Sequence, residues 1–153
     1  LRHNPDSVVI VDEAYIDFAG KSALELIDRY ENLLVVQTFS KSRSMAGMRI
    51  GFAIGNPDLI GYLNDAKYSF NSYTMNQAAL LCGAQSVKEE TYFHECVDRI
   101  VETREWAKQE LAELGFTYNL CEILEQRENP SVFENYSRHQ TRNGESAGIF
   151  EKI

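Results

Sequence analysis

In the first third of the chain, apolar residues gather into short unbroken runs between polar turns. Further on they recur at spacings of three, four and seven. The run SVVIV over 7–11 is β-branched and uninterrupted, as expected of a strand buried on both faces. LLVVQ over 33–37 predicts a second buried strand and RIGFAI over 49–54 a third. DEAYIDFAGK reads as a loop after the first strand. A short helix over 23–29 follows, with Ser22 and Glu25 spaced as a capping box. Asn56-Pro57-Asp58 marks a turn and the start of a helix running to 67. Strands that alternate with helices, and are apolar without alternation, predict an α/β fold with a parallel or mixed sheet covered by helices.

The Ala-rich stretch 76–87 also reads as a helix, and a longer one follows over 90–114. There Phe93, Val97, Ile100, Ala107, Leu111 and Leu114 fall on one helical face, and Gly115 is placed to cap the C-terminus. Such a helix spans about 38 Å, enough to join two lobes. From 119 the character changes. Between 125 and 148 only Val132, Phe133, Tyr136 and Ala147 can contribute to a core, and a terminal helix is expected over 147–153. The expected organisation is therefore 1–89 as one domain, 90–118 as a connecting helix, and 119–153 as an incomplete or disturbed smaller unit.

Charge narrows the partners. Fifteen basic residues stand against 23 acidic ones, a net of −8. That balance repels phosphate backbones and anionic lipid, so nucleic acid and membrane are poor partners. No apolar run reaches the roughly 18 residues of a membrane span, and nothing reads as a leader peptide. Cys82, Cys96 and Cys121 are odd in number and widely spaced, which suits free thiols and a cytoplasmic protein.

Three polar groupings sit at the ends of the predicted strands, where open α/β sheets collect their ligands. Asp12-Glu13-Ala14-Tyr15 leaves the first strand. Read alone, its carboxylates are a cap or solvated loop residues. Thr38-Phe39-Ser40-Lys41 leaves the second. A lone lysine there is a surface snorkeller, but beside hydroxyls and a second cation it can form a Schiff base with a carbonyl cofactor. Ala46-Gly47-Met48-Arg49-Ile50-Gly51 turns into the third strand. Gly47 allows close backbone approach, and Arg49 can grip a phosphate or simply pair at the surface. Together they amount to a carboxylate, a phenol, a lysine, hydroxyls and a guanidinium at one sheet edge. Pyridoxal phosphate uses that inventory: an amine for its aldehyde, a carboxylate for its ring nitrogen, and donors for its phosphate.

VIVDEAYIDF followed by VVQTFSKSRSMAGMRIGFAIG resembles the fold-type I pyridoxal-phosphate aminotransferases, most closely the histidinol-phosphate group. The resemblance covers 5–116 and rests on Asp12 with Tyr15, then Ser40-Lys41, then Arg49 eight residues on. It implies a large domain with a mostly parallel sheet and helices on both faces, followed by the start of a small C-terminal domain. It implies pyridoxal 5'-phosphate as cofactor, no metal, a small amino-acid or amino-phosphate substrate, and a homodimer. Lys41 would be the Schiff-base lysine and proton shuttle. Asp12 would pair with the pyridinium nitrogen and Tyr15 with the ring oxygen, while Thr38, Ser40 and Arg49 would hold the phosphate. The implied reaction is amino transfer between histidinol phosphate and 2-oxoglutarate in histidine biosynthesis.

That family also has an N-terminal half with a helix-terminus phosphate site, a stacking aromatic and an asparagine near the ring oxygen. Its substrate-carboxylate arginine lies in the small domain, and no motif assigns Arg138 or Arg142 to that role. The chain is accordingly expected to be a fragment. Threonine-phosphate decarboxylases and aromatic aminotransferases share much of the pattern. From other classes, a non-catalytic remnant is one alternative and a P-loop ATPase another. The ATPase needs a glycine five positions before Gly20-Lys21-Ser22, where Tyr15 stands. A zinc-protease helix at His94-Glu95 fails because Asp98 occupies the second ligand position.

Overall fold

The computed structural model describes residues 1–18 and 20–117, together with the backbone of Gly148–Glu151. In chain order it contains strand β1 (Val9–Asp12), 3-10 helix η1 (Ile16–Phe18), 3-10 helix η2 (Ala23–Arg29), β2 (Leu33–Thr38) and 3-10 helix η3 (Ala46–Met48). Strand β3 (Gly51–Gly55) and helices α1 (Pro57–Phe70), α2 (Gln77–Lys88) and α3 (Glu90–Glu113) follow, and β4 (Gly148–Glu151) comes last. The sheet has the order β1-β2-β3-β4. β1 and β2 run parallel, with Val11 opposite Val35 and Asp12 opposite Val36. β3 is antiparallel to β2, and β4 is antiparallel to β3. The α/β class holds. Within the described residues the sheet is mixed, with one parallel pair.

β2 lies at the centre, and its alternating side chains feed two cores. Leu33 and Val35 join Leu24 and Ile54 on one face, with Leu26 and Ile27 of η2 packed against them. Leu34 joins Ala53 and Ile60 on the other, beneath Leu59 and Leu63 of α1. Helical layers therefore cover both faces of β2. β1 departs from the expectation of burial on both faces: Ile10 is 61% exposed. The reason is position. β1 is the edge of the described sheet, paired with β2 on one side, and its alternate residues Ile10 and Asp12 are exposed.

The helix ends follow their local chemistry. Asn56 and Asn76 accept the Asp58 and Ala79 amides, capping α1 and α2. The predicted capping box at Ser22 is half realised. The Ser22 hydroxyl accepts the Leu24 amide, whereas Glu25 pairs with Lys21 at 3.1 Å instead of reaching back. Seven residues form a 3-10 helix here rather than an α-helix, consistent with so short a segment held mainly by its buried Leu24. At the far end of α3, Gly115 has φ +83°. Its amide bonds to Ala112 and that of Phe116 to Leu111, the paired bonds of a Schellman end. Gly115→Ala should destabilise the protein by about 1 kcal/mol, because a Cβ is strained at that φ. A urea midpoint indistinguishable from the parent would contradict this.

α3 buries only its first part, through Phe93 and Val97. Ile100, Leu111 and Leu114 on the predicted apolar face are 46%, 42% and 73% exposed. Arg104 ties the middle of the helix to the Phe18 carbonyl at 3.1 Å. The helix expected over 147–153 is instead strand β4 over its described part. Ile149 and Phe150 favour strands, and the free edge of β3 offers unpaired backbone to receive them. The remainder of the expected 119–153 unit lies outside the described residues, as does Cys121, while Cys82 and Cys96 are free thiols. Among the described residues no helix is long and apolar enough to cross a membrane.

Candidate functional site

Sheet topology brings the three polar groupings together. β1 and β2 are parallel, so their carboxyl ends lie side by side. β3 is antiparallel to β2, so its amino end lies at the same edge, where Thr38 stands opposite Gly51. Asp12 faces the same side of the sheet as Val36 and Thr38 because Asp12 is the partner of Val36. A cleft of about 200 Å³ opens there, and Asp12, Thr38, Ser40 and Arg49 are among the residues lining it.

Each group is held by backbone. The Ala14 amide donates to Asp12 Oδ1 at 3.0 Å, which orients the carboxylate. Thr38 Oγ1 lies 2.8 Å from Ser40 Oγ, accepts the Ser40 amide at 3.1 Å, and donates to the Ile50 carbonyl at 3.1 Å. The two hydroxyls thus form one polar corner at the end of β2. Arg49 is exposed and has φ 56° and ψ 46°, the left-handed conformation, with its guanidinium donating to the Ala46 carbonyl at 3.1 Å. The turn is therefore made differently than expected. A Cβ on Gly47 would meet no heavy atom within 4 Å, so no close approach depends on that glycine. The left-handed backbone falls on Ser44 and Arg49.

Lys41 and Tyr15 meet one another beside the cleft rather than lining it. The Lys41 ammonium sits 5.3 Å from the centroid of the exposed Tyr15 ring, a cation–π distance. All six predicted residues therefore gather at one sheet edge, four around the cleft and two in contact next to it.

Residues with no predicted role hold this edge in place. Glu13 is 6% exposed. Its carboxylate accepts from Ser22 Oγ at 2.8 Å, the Ala23 amide at 2.6 Å and Gln37 Nε2 at 2.8 Å. One carboxylate thus joins the end of β1, the start of η2 and β2, which fixes where Asp12 and Tyr15 emerge. The available signal was strand alternation, since neighbouring carboxylates at a strand end must face opposite sides. Ser22, the last residue of the ATPase-like triplet, is committed to this anchor and to capping η2.

On the other side of Lys41, the buried Ser42 hydroxyl donates to Asp17 Oδ2 at 2.5 Å. Arg43 donates to the Ser86 carbonyl and lies 4.1 Å from the Phe93 ring centroid and 5.4 Å from that of Phe39. Burial pulls the Arg43 guanidinium below its usual pKa, while the Asp17 and Glu90 carboxylates act in the opposite direction. Beneath these loops Phe39, Ile50 and Ala79 form a third core. A Cβ on the buried Gly83 would come 2.9 Å from Ile50 Cδ1, so α2 packs against the start of β3 at glycine distance.

A Clostridium botulinum histidinol-phosphate aminotransferase is 48% identical over 153 residues, covering all of this chain and 40% of the relative. One from Brachyspira hyodysenteriae is 55% identical over 117 residues, covering 76% of this chain and 33% of the relative. The chain thus spans well under half the length of these curated relatives. In fold it matches the crystal structure of histidinol-phosphate aminotransferase from Sinorhizobium meliloti, a complex with pyridoxal-5'-phosphate. The TM-score is 0.63 at 24% identity, over 72% of this chain and 30% of that one. The family model for aminotransferase class I and II matches residues 2–120, which takes in both cleft-bearing loops and all of α3, and the chain belongs to that family.

Proposed function

We propose that this chain forms the cofactor-holding part of a pyridoxal 5'-phosphate-dependent aminotransferase acting on histidinol phosphate and 2-oxoglutarate in histidine biosynthesis. The observation that carries the reading is the cleft itself: a carboxylate, two linked hydroxyls and a guanidinium around one opening, with Lys41 next in sequence after Ser40. The donor set fits the cofactor. Cationic and hydroxyl donors sit on one side for a phosphate, and a carboxylate stands on the neighbouring strand for a ring nitrogen.

When bound, pyridoxal phosphate supplies an aldehyde for amine capture and a ring that draws electrons from the substrate carbon. In this reading Lys41 Nζ would be the amine that holds the aldehyde and, once the substrate amine has displaced it, the base that takes and returns the proton at the substrate carbon. Asp12, oriented by the Ala14 amide, would keep the ring nitrogen protonated. Tyr15 would donate to the ring oxygen, and Thr38, Ser40 and Arg49 would hold the phosphate. Residues 1–89 are then the large-domain part, 90–118 the connecting helix and 119–153 the beginning of the small domain. The same family reading carries a homodimer and a cytoplasmic location.

The test is to mix the purified chain with pyridoxal phosphate, reduce with borohydride and map the label. An adduct confined to Lys41 is expected. Label scattered over surface lysines would count against the site. For the substrate, glutamate formation from histidinol phosphate and 2-oxoglutarate by the full-length protein is the corresponding assay.

Arg49 gives a second, separable prediction. Arg49→Ala should reduce the preference for pyridoxal phosphate over pyridoxal by roughly tenfold or more, since a charge-assisted phosphate contact is lost. Arg49→Gly should lose the same preference yet be more stable than Arg49→Ala by about 1 kcal/mol, because glycine is unstrained in the left-handed region. Equal preference in parent and variants, read by cofactor titration, would remove Arg49 from the phosphate site.

A further inference from the structure

We propose that the Ser42–Asp17 hydrogen bond is a positioning contact that sets the Lys41 amine against the Tyr15 ring. Ser42 is the residue after Lys41, and Asp17 follows Tyr15 by two. The bond is therefore a cross-link between the two loops, placed one residue from the amine on one side and two from the phenol on the other. Ser42 is 2% exposed, so water has little access to compete for its hydroxyl. A hydroxyl donating to a carboxylate is also among the stronger single hydrogen bonds.

The other bonds of the lysine loop point elsewhere. The Ser44 amide returns to the Lys41 carbonyl, the Met45 amide to Phe39, and the Ser40 amide to Thr38 Oγ1. Arg43 reaches α2 and α3. The Tyr15 loop is closed on itself by Ile16 to Glu13 and Phe18 to Tyr15. Those contacts shape each loop or tie it to the helices, whereas Ser42–Asp17 is a hydrogen bond between the two loops. The Asp17 carboxylate also raises the Arg43 guanidinium pKa against the effect of burial, so its charge is felt by a second side chain of the lysine loop.

The chemical consequence rests on the reading of Lys41 as the cofactor lysine, but the geometry can be read without cofactor. In the unliganded chain, a nuclear Overhauser contact between the Lys41 ε-protons and the Tyr15 ring is expected in the parent and in Ser42→Thr, which keeps the hydroxyl. It is expected to be lost in Ser42→Ala. With pyridoxal phosphate and borohydride, Ser42→Ala should label Lys41 about tenfold more slowly, and Ser42→Thr should recover most of the rate. A merely structural role would not discriminate alanine from threonine in this way.

Retention of the Lys41–Tyr15 contact in Ser42→Ala would overturn the proposal. If Ser42→Ala fails to fold, Asp17→Ala decides. It removes the acceptor of the same bond, so an unchanged contact and labelling rate there would overturn the proposal as well. A parent chain that shows the Ser42-dependent contact but no Lys41 adduct would instead defeat the cofactor reading and leave the positioning contact standing.

Discussion

Lys41→Ala, treated with pyridoxal phosphate and then borohydride, is expected to give no labelled peptide from the loop between β2 and β3. The loss should be complete rather than partial, because a covalent capture needs an amine and alanine has none. Lys67 and Lys88 cannot substitute. Lys67 lies in α1 and Lys88 ends α2, whereas the cleft is built from the ends of β1, β2 and β3. Phosphate affinity should survive in part, since Thr38, Ser40 and Arg49 are untouched. Non-covalent retention of the cofactor, released by gel filtration, is therefore the expected companion result. A single reduced adduct formed by Lys41→Ala at the parent's rate and yield, mapping to another lysine, would defeat the assignment.

Glu13→Ala should be the most destabilising single change near the site, lowering the unfolding free energy by about 3 kcal/mol. Its three donors come from β2, η2 and the residue that caps η2, and removal of the carboxylate leaves the buried Gln37 Nε2 and the half-buried Ala23 amide without that acceptor. Unmade bonds at buried groups cost more than made ones contribute, which is why the loss exceeds that of one ordinary hydrogen bond. Glu13→Gln keeps one acceptor oxygen but turns an NH₂ toward a donor, so it should lose roughly half as much. Urea unfolding of the three proteins decides the matter. A loss below about 1 kcal/mol for Glu13→Ala would mean that the end of β1 is anchored elsewhere.

Some of this was readable from the chain alone. β2 is apolar without alternation because both of its faces are covered, and α1, α2 and α3 begin within a residue or so of their predicted starts. The helix start signalled by Asn56-Pro57-Asp58 and the glycine end at 115 are local chemistry, which sequence reports well. What depends on neighbours was hidden. Ile10 looks as buried as Val35 in a sequence, since a strand's composition does not say which of its faces a helix will cover. At the site, Asp12, Tyr15, Thr38, Ser40, Lys41 and Arg49 were legible as polar groups expected at one sheet edge. The sequence did not say that β3 runs antiparallel, which is how it presents its beginning where β2 presents its end. Glu13, Asp17 and Ser42 were illegible as anchors, because their partners lie between 9 and 25 residues away in the chain. The glycine at 47 drew attention from Arg49, whose backbone carries the strained conformation.

Helix α3 has a mechanical consequence. It is gripped along its first four turns, by Phe93 against Arg43, by buried Val97, and by Arg104 at the Phe18 carbonyl. The nine residues from Glu105 to Glu113 continue beyond that grip for about 14 Å. A rod clamped at one end and, among the described residues, exposed at Leu111 and Leu114 at the other is a cantilever, and it converts small rotations at the clamp into larger displacements at the tip. A tilt of about 5° at Arg104 carries the Leu114 end by roughly 1 Å over that length. The same clamp includes Arg43, two residues from Lys41, so the lysine loop and the root of the lever share one joint.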